Sequence, residues 1–182
     1  MRKIVAGLAI SLDGVVESPA DWILLDDELA AVINAGVAQA DAVLLGRRTY
    51  LEFAKLWPTQ GGDVPMADFL NNSPKHIVSS TLDTLEWANS TLVTGDLAEE
   101  IAKLKEQPGR NIQIPGSPTL VRSLLRDGLL DELSLAVHPI VVGAGMRLFD
   151  EMNGQVRLEL VASTTLGSGV LSVTYRPVSP RP

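Results

Sequence analysis

The chain has 182 residues, of which 46% are hydrophobic and 20% charged, a composition typical of one globular domain rather than a disordered protein. It contains no cysteine and only two histidines, which excludes disulfide scaffolds, zinc–thiolate and iron–sulfur sites, a cysteine nucleophile and a multi-histidine metal site. Its net charge of −7 argues against a nucleic-acid partner and leaves binding, or chemistry carried by an organic cofactor.

The hydrophobic pattern alternates between segments typical of strands and segments typical of helices. Residues 4–10 form a near-continuous apolar run, which predicts a strand buried on both faces. The pattern then predicts, in chain order, a helix at 26–39, a strand at 42–45, a helix at 48–57, a surface loop at 58–65, strands at 75–79 and 91–94, a helix opened by an Asp96–Glu99 capping box, a strand at 112–114, a helix at 117–126, a long strand at 132–142 and a hairpin of strands 157–166 and 170–176. This order indicates a three-layer α/β/α fold with a mostly parallel sheet.

No repeat, linker or low-complexity segment divides the chain, so we expect residues 1–176 to form one domain. Residues 177–182 contain three prolines and are expected to be a flexible tail. The apolar N-terminal run breaks at Asp13-Gly14 without a cleavage pattern, and no window approaches the roughly 18 apolar residues of a membrane helix. We therefore expect a cytoplasmic protein that does not bind membranes.

Glycine, hydroxyl and arginine side chains follow the predicted strands, at the sheet edge where α/β proteins bind ligands. Gly46-Arg47-Arg48-Thr49 begins one helix, and a guanidinium group binds phosphate with two hydrogen bonds. Because positive side chains at a helix N-terminus are otherwise unfavourable, this turn favours a bound anion over a solvated helix start. Gly116-Ser117 is either a second phosphate site or an ordinary turn with a serine N-cap. Two such sites favour a phosphorylated dinucleotide, although no Gly-x-Gly-x-x-Gly motif follows the first strand.

A series of short segments in a defined order carries a family resemblance. These segments are 11–14 (SLDG), 44–50 (LLGRRTY), 57–58 (WP), 116–121 (GSPTLV), 124–125 (LL), 128–133 (GLLDEL), 138–139 (HP), 143–145 (GAG) and 148–149 (LF). Together they resemble the dihydrofolate reductase-like superfamily, and within it the C-terminal reductase domain of bifunctional riboflavin-biosynthesis enzymes. The sequence has no deaminase segment with zinc ligands, so we expect a stand-alone reductase domain.

The resemblance implies a mixed eight-stranded sheet, flanked by helices, that binds NADPH. It implies that Gly46, Arg47, Arg48 and Thr49 hold the adenosine end and its 2′-phosphate, helped by Ser79 and Ser80. By the same resemblance, Gly116 and Ser117 would hold the pyrophosphate, and Ala9 and Ile10 would lie near the nicotinamide. The cofactor would supply the hydride, while the protein would supply orientation and a dry pocket.

The sequence offers one candidate for the proton donor and two for the substrate site, and each of these residues has two alternative roles. Asp13 is either the proton donor or a turn residue before Gly14. Trp22 either stacks on a flat substrate ring or packs in the core. Dihydrofolate reductases hold the pteridine with a carboxylate on the first helix, and Asp27 is the candidate, although acids there also complement the helix dipole. No metal ligands are predicted.

Several functions therefore remain open. The leading hypothesis is an NADPH-dependent reductase of a small planar heterocyclic or carbonyl substrate. The enzymatic alternatives are a pyrimidine reductase acting on a riboflavin precursor and a dihydrofolate reductase. The alternatives of other classes are a catalytically inactive nucleotide-binding protein and a dimeric scaffold. The long C-terminal strands and the family resemblance lead us to expect a homodimer.

Overall fold

Eight strands pair into one sheet in the computed structural model, which describes residues 1–150 and 152–178. The strands are β1 (Ile4–Ser11), β2 (Ala40–Gly46), β3 (Lys75–Val78), β4 (Ser90–Val93), β5 (Asn111–Pro115), β6 (Glu132–His138), β7 (Leu158–Thr165) and β8 (Leu171–Pro177). Their order is β4-β3-β2-β5-β1-β6-β8-β7, and only the β6-β8 and β8-β7 pairs are antiparallel. This confirms the predicted mixed, mostly parallel sheet ending in an antiparallel hairpin.

Helices cover both faces of this sheet. They are α1 (Asp27–Val37), α2 (Arg47–Leu56), α3 (Ala67–Asn72), α4 (Leu97–Glu106) and α5 (Pro118–Arg126). Helices α4 and α5 pack with Leu44 in one core cluster, whereas α2 and α3 pack with Leu45 in another. Since neighbouring strand residues point to opposite faces, the two clusters lie on opposite sides of the sheet. The predicted three-layer α/β/α arrangement is therefore confirmed.

Strand β1 differs from its prediction, because only one of its faces is fully buried. The even-numbered residues from Ile4 to Ile10 are buried in the core shared with α4 and α5. The odd-numbered residues from Val5 to Ala9 are only partly buried, because Gly7 and Ala9 are too small to fill the space under α1. The prediction of a strand buried on both faces was wrong, and the open face lines a cleft.

The long strand predicted at 132–142 ends early, at His138. Pro139 has no N–H to continue the ladder. The N–H of Ile140 donates to the carbonyl of His138 over 2.8 Å, which turns the chain. The carbonyl of Ile140 in turn accepts the N–H of Leu12 over 2.8 Å, so the segment after the turn is held against the end of β1.

Two of the predicted helix starts are confirmed at atomic detail, and one helix was missed. The carboxylate of Asp96 accepts the N–H of Glu99 over 3.1 Å at the start of α4. The predicted helix at 26–39 is shorter, and Asp26 caps it by accepting the N–H of Leu29 over 2.8 Å. The short helix α3 follows the predicted surface loop and has too few residues to give a periodic signal.

The C-terminal boundary lies slightly beyond its predicted position. Pro177 is the last residue of β8, and the N–H of Val178 donates to the carbonyl of Arg157 over 2.8 Å. The predicted tail at 177–182 therefore begins with two anchored residues, and its remaining residues lie outside the described part of the chain. Within the described residues, no helix is both long and apolar enough to cross a membrane.

Candidate active site

A cleft with a volume of about 1100 Å³ opens at the carboxyl ends of β1, β2 and β5. The turns at residues 46–49 and 116–119 line one part of it, and α1 covers another part. A smaller pocket of about 510 Å³ adjoins it, and Arg47 lines both cavities. The position agrees with the rule that α/β sheets bind ligands at the carboxyl ends of their strands.

The two glycine-containing turns are joined by hydrogen bonds. The N–H of Gly46 donates to the hydroxyl of Ser117 over 3.1 Å, and the N–H of Ser117 donates to the hydroxyl of Thr49 over 3.1 Å. Ser117 lies in the left-handed region, with φ of 51°, and its side chain makes no capping bond to α5. Ser117 therefore occupies the N-cap position of α5, but the capping alternative is not supported, because its hydroxyl bonds to the other turn.

These hydrogen bonds bring the N-termini of α2 and α5 together. The first-turn N–H groups of a helix have no partner within the helix and carry a partial positive charge. Gly116 has a φ of 69°, in the left-handed region that favours glycine, so this turn suits glycine because of its backbone conformation. The two turns predicted to bind phosphate thus lie side by side, at the N-termini of two helices.

The smaller pocket contains a separate set of polar groups. It is lined by Arg47, Ser79, Ser80 and Thr81, together with Gly95. The guanidinium of Arg47 donates to the hydroxyl of Thr81 over 3.2 Å. The hydroxyl of Ser79 accepts the N–H of Thr81 over 3.2 Å, which shapes the loop, and Ser80 is exposed. The pocket therefore offers one arginine and several hydroxyl groups to an anion.

Arg48 has different partners from Arg47, although the two are adjacent in sequence. Its guanidinium forms ion pairs with Glu52 at 3.3 Å and with Glu17 at 3.2 Å. The hydrogen bonds to Glu52 and Glu17 raise the pKa of Arg48. The expectation that both arginines serve one phosphate is therefore not supported, since Arg48 already has two carboxylate partners.

The two residues expected near the nicotinamide point to opposite faces of β1. Ala9 lines the cleft, whereas Ile10 is 4% exposed and packs in the core under α4 and α5. The period of two along a strand separates them. The geometry therefore retains Ala9 as a cleft residue and removes the side chain of Ile10 from the site.

Asp13 serves as the anchor of a turn. Its carboxylate accepts hydrogen bonds from the hydroxyl of Ser11 at 2.7 Å and from the N–H groups of Val142 and Gly143 at 3.0 and 2.9 Å. These bonds, that of Ser11 foremost, lower the pKa of Asp13 to about 2. An ionised carboxylate with its acceptors occupied is a poor proton donor, and Asp13 does not line the cleft in the described structure. The catalytic role considered for Asp13 is therefore not supported.

Comparisons with known proteins agree with this geometry. The model of the RibD C-terminal domain matches residues 2–172. The chain belongs to the RibD C-terminal domain family. A Bacillus subtilis protein, YyaP, is 27% identical over 180 residues, which cover 96% of this chain and 94% of YyaP.

Solved structures share the fold of this RibD C-terminal domain. A Shewanella sp. PV-4 protein assigned to riboflavin biosynthesis is 22% identical, with a TM-score of 0.75 over 97% of this chain and 99% of that one. A Thermotoga maritima deaminase and 5-amino-6-(5-phosphoribosylamino)uracil reductase is 17% identical, with a TM-score of 0.69 over 97% of this chain and 57% of that one. Enterococcus faecalis dihydrofolate reductase, in complex with NADP(H), is 17% identical, with a TM-score of 0.64 over 96% of both chains.

In this RibD-type domain, the predicted substrate residues lie away from the cleft. The indole N–H of Trp22 donates to the carbonyl of Glu17 over 3.0 Å, and its ring packs edge-on against His138 with centroids 5.6 Å apart. Asp27 is exposed in the first turn of α1. Neither residue lines the cleft in the part of the chain that the structure describes. The packing role of Trp22 and the helix-dipole role of Asp27 are therefore the ones supported.

Sequence reasoning missed the residues that line the RibD-type cleft beneath α1. Gln113 and Ser134 face this part of the cleft from β5 and β6, and Glu17 lines its rim. A signal was available for the strand residues, because polar side chains alternate with buried apolar ones in both strands. Such alternation is unusual in the centre of a parallel sheet covered on both faces.

Proposed function

We propose that the protein is an NADPH-dependent reductase that transfers hydride to a small planar substrate. The observation that carries the proposal is that the N-termini of α2 and α5 lie side by side at the cleft, beside a second pocket that contains Arg47. Two separate regions suited to anions would accommodate a phosphorylated dinucleotide, whose pyrophosphate and 2′-phosphate are separate. Membership of the RibD C-terminal domain family and the NADP(H) complex of a protein with the same fold support it.

The described residues fit such a cofactor. The first-turn N–H groups of α2 and α5 would bind the pyrophosphate, beside the left-handed turn at Gly116. Arg47, with Thr81 and Ser80, would bind the 2′-phosphate in the smaller pocket. Ala9, whose short side chain leaves the open face of β1 accessible, would lie near the nicotinamide.

When bound, the cofactor supplies the hydride, and the residues of the chain bind, orient and shield the reactants. The apolar side chains of α1 that line the cleft exclude water from its inner part. Asp13 does not line the cleft, and the carboxylates of Glu17 and Glu52, which do, are paired with Arg48. We therefore propose that the proton comes from water rather than from a side chain of the site. A dihydrofolate reductase activity is less well supported, because none of the described acids at the start of α1 lines the cleft.

A titration with NADPH and NADH tests this function directly. We expect NADPH to bind and to quench or shift protein fluorescence, with NADH at least about tenfold weaker because it lacks the charge-assisted contacts of a 2′-phosphate. Oxidation of bound NADPH by a panel of planar heterocycles and carbonyl compounds would then identify acceptors. Binding of neither nucleotide would contradict the proposal, and binding without oxidation would favour the nucleotide-binding alternative.

We also propose a homodimer that forms through strand β7. This edge strand pairs only with β8 among the described strands, so its outer backbone groups are unpaired. Leu160 and Val161 are 52% and 46% exposed on it. Unpaired edges with exposed apolar side chains favour pairing with a second copy.

Light scattering should therefore give twice the monomer mass of 19.5 kDa, and Leu160→Glu should give monomer, because it buries a charge between the copies. Thr91→Glu, on the opposite edge strand β4, is the matched control and should remain dimeric. A monomeric wild type, or dissociation by Thr91→Glu alone, would contradict this interface.

A further inference from the structure

The floor of the cleft beneath α1 is a polar stretch of sheet. Gln113 on β5, Ser134 on β6 and Thr174 on β8 line it, and the hydroxyls of Ser134 and Thr174 lie 3.0 Å apart. Strand faces covered by a helix are normally apolar, because the helix buries its own apolar stripe against them. A polar floor under a helix is therefore suited to a ligand rather than to core packing.

The roof of this part of the cleft is apolar and incompletely packed. Leu29, Val32, Ile33 and Val37 of α1 line the cleft, and of the residues of α1 only Leu29 is fully buried. Side chains of α2 and of the loop that follows it extend the same apolar wall, namely Phe53, Leu56, Trp57, Val64, Pro65 and Met66. The space between floor and roof thus suits a flat molecule with one apolar face.

No cation is available to this part of the cleft. Among the described residues that line the whole cleft, the basic side chains are Arg47 and Arg48 alone. Arg47 bonds to Thr81 in the smaller pocket, and Arg48 is paired with two carboxylates. Among the described residues, Glu132 is the acidic side chain of the floor, and it already pairs with Lys3 at 2.7 Å and with Arg176 at 3.7 Å, neither of which lines the cleft. A phosphate group beneath α1 would lose its hydration without gaining a counterion.

One polar side chain of the floor is free to bind a ligand. The amide of Gln113 has no hydrogen-bond partner among the described residues, and it lies over Gly7. A Cβ added at Gly7 would be 2.7 Å from Nε2 of Gln113, so glycine is what allows the amide to lie there. This amide offers both donors and an acceptor.

We propose that the cleft between α1 and the sheet binds a neutral, unphosphorylated planar molecule whose polar edge is hydrogen-bonded by Gln113. The proposal rests on the proposed function only in taking this molecule as the hydride acceptor. A substrate of this kind would differ from the phosphoribosyl compound that the name of the Thermotoga maritima reductase contains, because it would carry no phosphate.

Two coumarins with the same ring test the charge preference. The neutral probe is 7-methoxy-4-methylcoumarin, and the anionic probe is 4-methylumbelliferyl phosphate, which carries a phosphate at the same ring position. Isothermal titration calorimetry would measure both probes in the presence of saturating NADP⁺, which occupies the proposed phosphate-binding groups of the cleft and prevents turnover. We expect the neutral probe to bind about a hundredfold more tightly than the phosphate ester under this condition.

Variants of the cleft test the two parts of the proposal. Gln113→Leu should weaken the neutral probe by about threefold to tenfold, the effect of one hydrogen bond to the lactone carbonyl, and leave NADP⁺ affinity unchanged. Gln107→Leu, at an exposed position after α4 on the other side of the sheet, is the matched control and should change nothing. Val32→Arg should improve binding of the phosphate ester by about tenfold, because it supplies the missing cation.

Equal affinity for the two probes, tighter binding of the phosphate ester, or no binding of the neutral probe would overturn the proposal. An unchanged affinity of Gln113→Leu for the neutral probe would overturn the role of Gln113. Failure of the proposed function has a different signature, because the nucleotide titration would then show no binding while the preference for the neutral probe persists.

Discussion

Replacing Arg47 with alanine should weaken NADPH binding by about tenfold to a hundredfold while changing NADH binding by less than about threefold. The guanidinium of Arg47 lines the smaller pocket beside Thr81 and Ser80, where we propose that the 2′-phosphate binds. Hydrogen bonds between charged groups contribute about 1.5–3 kcal/mol, which corresponds to the expected factor. Parallel fluorescence titrations of wild type and Arg47→Ala with both nucleotides measure it.

Arg48→Ala is the matched control for this prediction. It removes the neighbouring guanidinium, which is held by Glu17 and Glu52, so it should not alter the ratio of NADPH to NADH affinity. Equal weakening of both nucleotides by Arg47→Ala, or a change of the ratio by Arg48→Ala instead, would contradict the assignment of the 2′-phosphate to the smaller pocket.

The stability of the protein should rise between pH 8 and pH 10.5 through the titration of Lys75. This side chain on β3 is fully buried, with Nζ 2.9 Å from the carbonyl of Ser73 and 4.6 Å from the ring centroid of Trp87. Burial lowers the pKa of Lys75 from 10.5 to about 8. Between these values the unfolded chain binds more protons than the folded one, so raising the pH favours folding.

The effect is measured as a difference between wild type and Lys75→Met. Urea unfolding at several pH values from 7.5 to 10.5 should show wild type gaining up to about 3 kcal/mol relative to the variant across this range. Lys103→Met is the control, because a hydrogen bond with Glu100 in the folded state raises the pKa of this exposed lysine. Its titration can only lower the stability of wild type as the pH rises, so wild type should gain no stability relative to Lys103→Met across this range. Parallel pH curves for wild type and Lys75→Met would contradict the prediction.

Lys75 also shows that the burial of a charged side chain cannot be predicted from composition and hydrophobic pattern alone. Its segment, Lys75–Val78, was correctly predicted as a strand, but no local feature indicates that its lysine is buried. The burial depends on backbone carbonyls of residues 71 and 73 and on Trp87, which together surround the ammonium group. A lysine at a strand start is usually solvated, so only the packed structure identifies this one as a stability determinant.

The sequence predicts the two turns that we propose bind the cofactor, but it does not show that hydrogen bonds join them. Glycine and arginine at residues 46–49 and glycine at 116 are local signals, because turn geometry and helix starts depend on a few adjacent residues. The bond between Gly46 and Ser117 joins residues 71 positions apart, and that between Asp13 and Val142 joins residues 129 apart. Partners at such separations leave no trace in a local pattern. For this reason the sequence did not show that the hydroxyl of Ser117 accepts a bond from the other turn, or that the carboxylate of Asp13 is already occupied.

The sequence by itself determined the class of the fold, α/β with glycine-rich turns where the strands end, and it excluded thiol chemistry because it contains no cysteine. Periodicity and turn chemistry suffice for this, since each is a property of neighbouring residues. Only the tertiary structure decided which face of β1 stays open and which arginine faces the smaller pocket. It also decided that the amide of Gln113 lies over Gly7 with no hydrogen-bond partner among the described residues. Those features depend on how strands and helices distant in sequence pack, and they define where a substrate can bind.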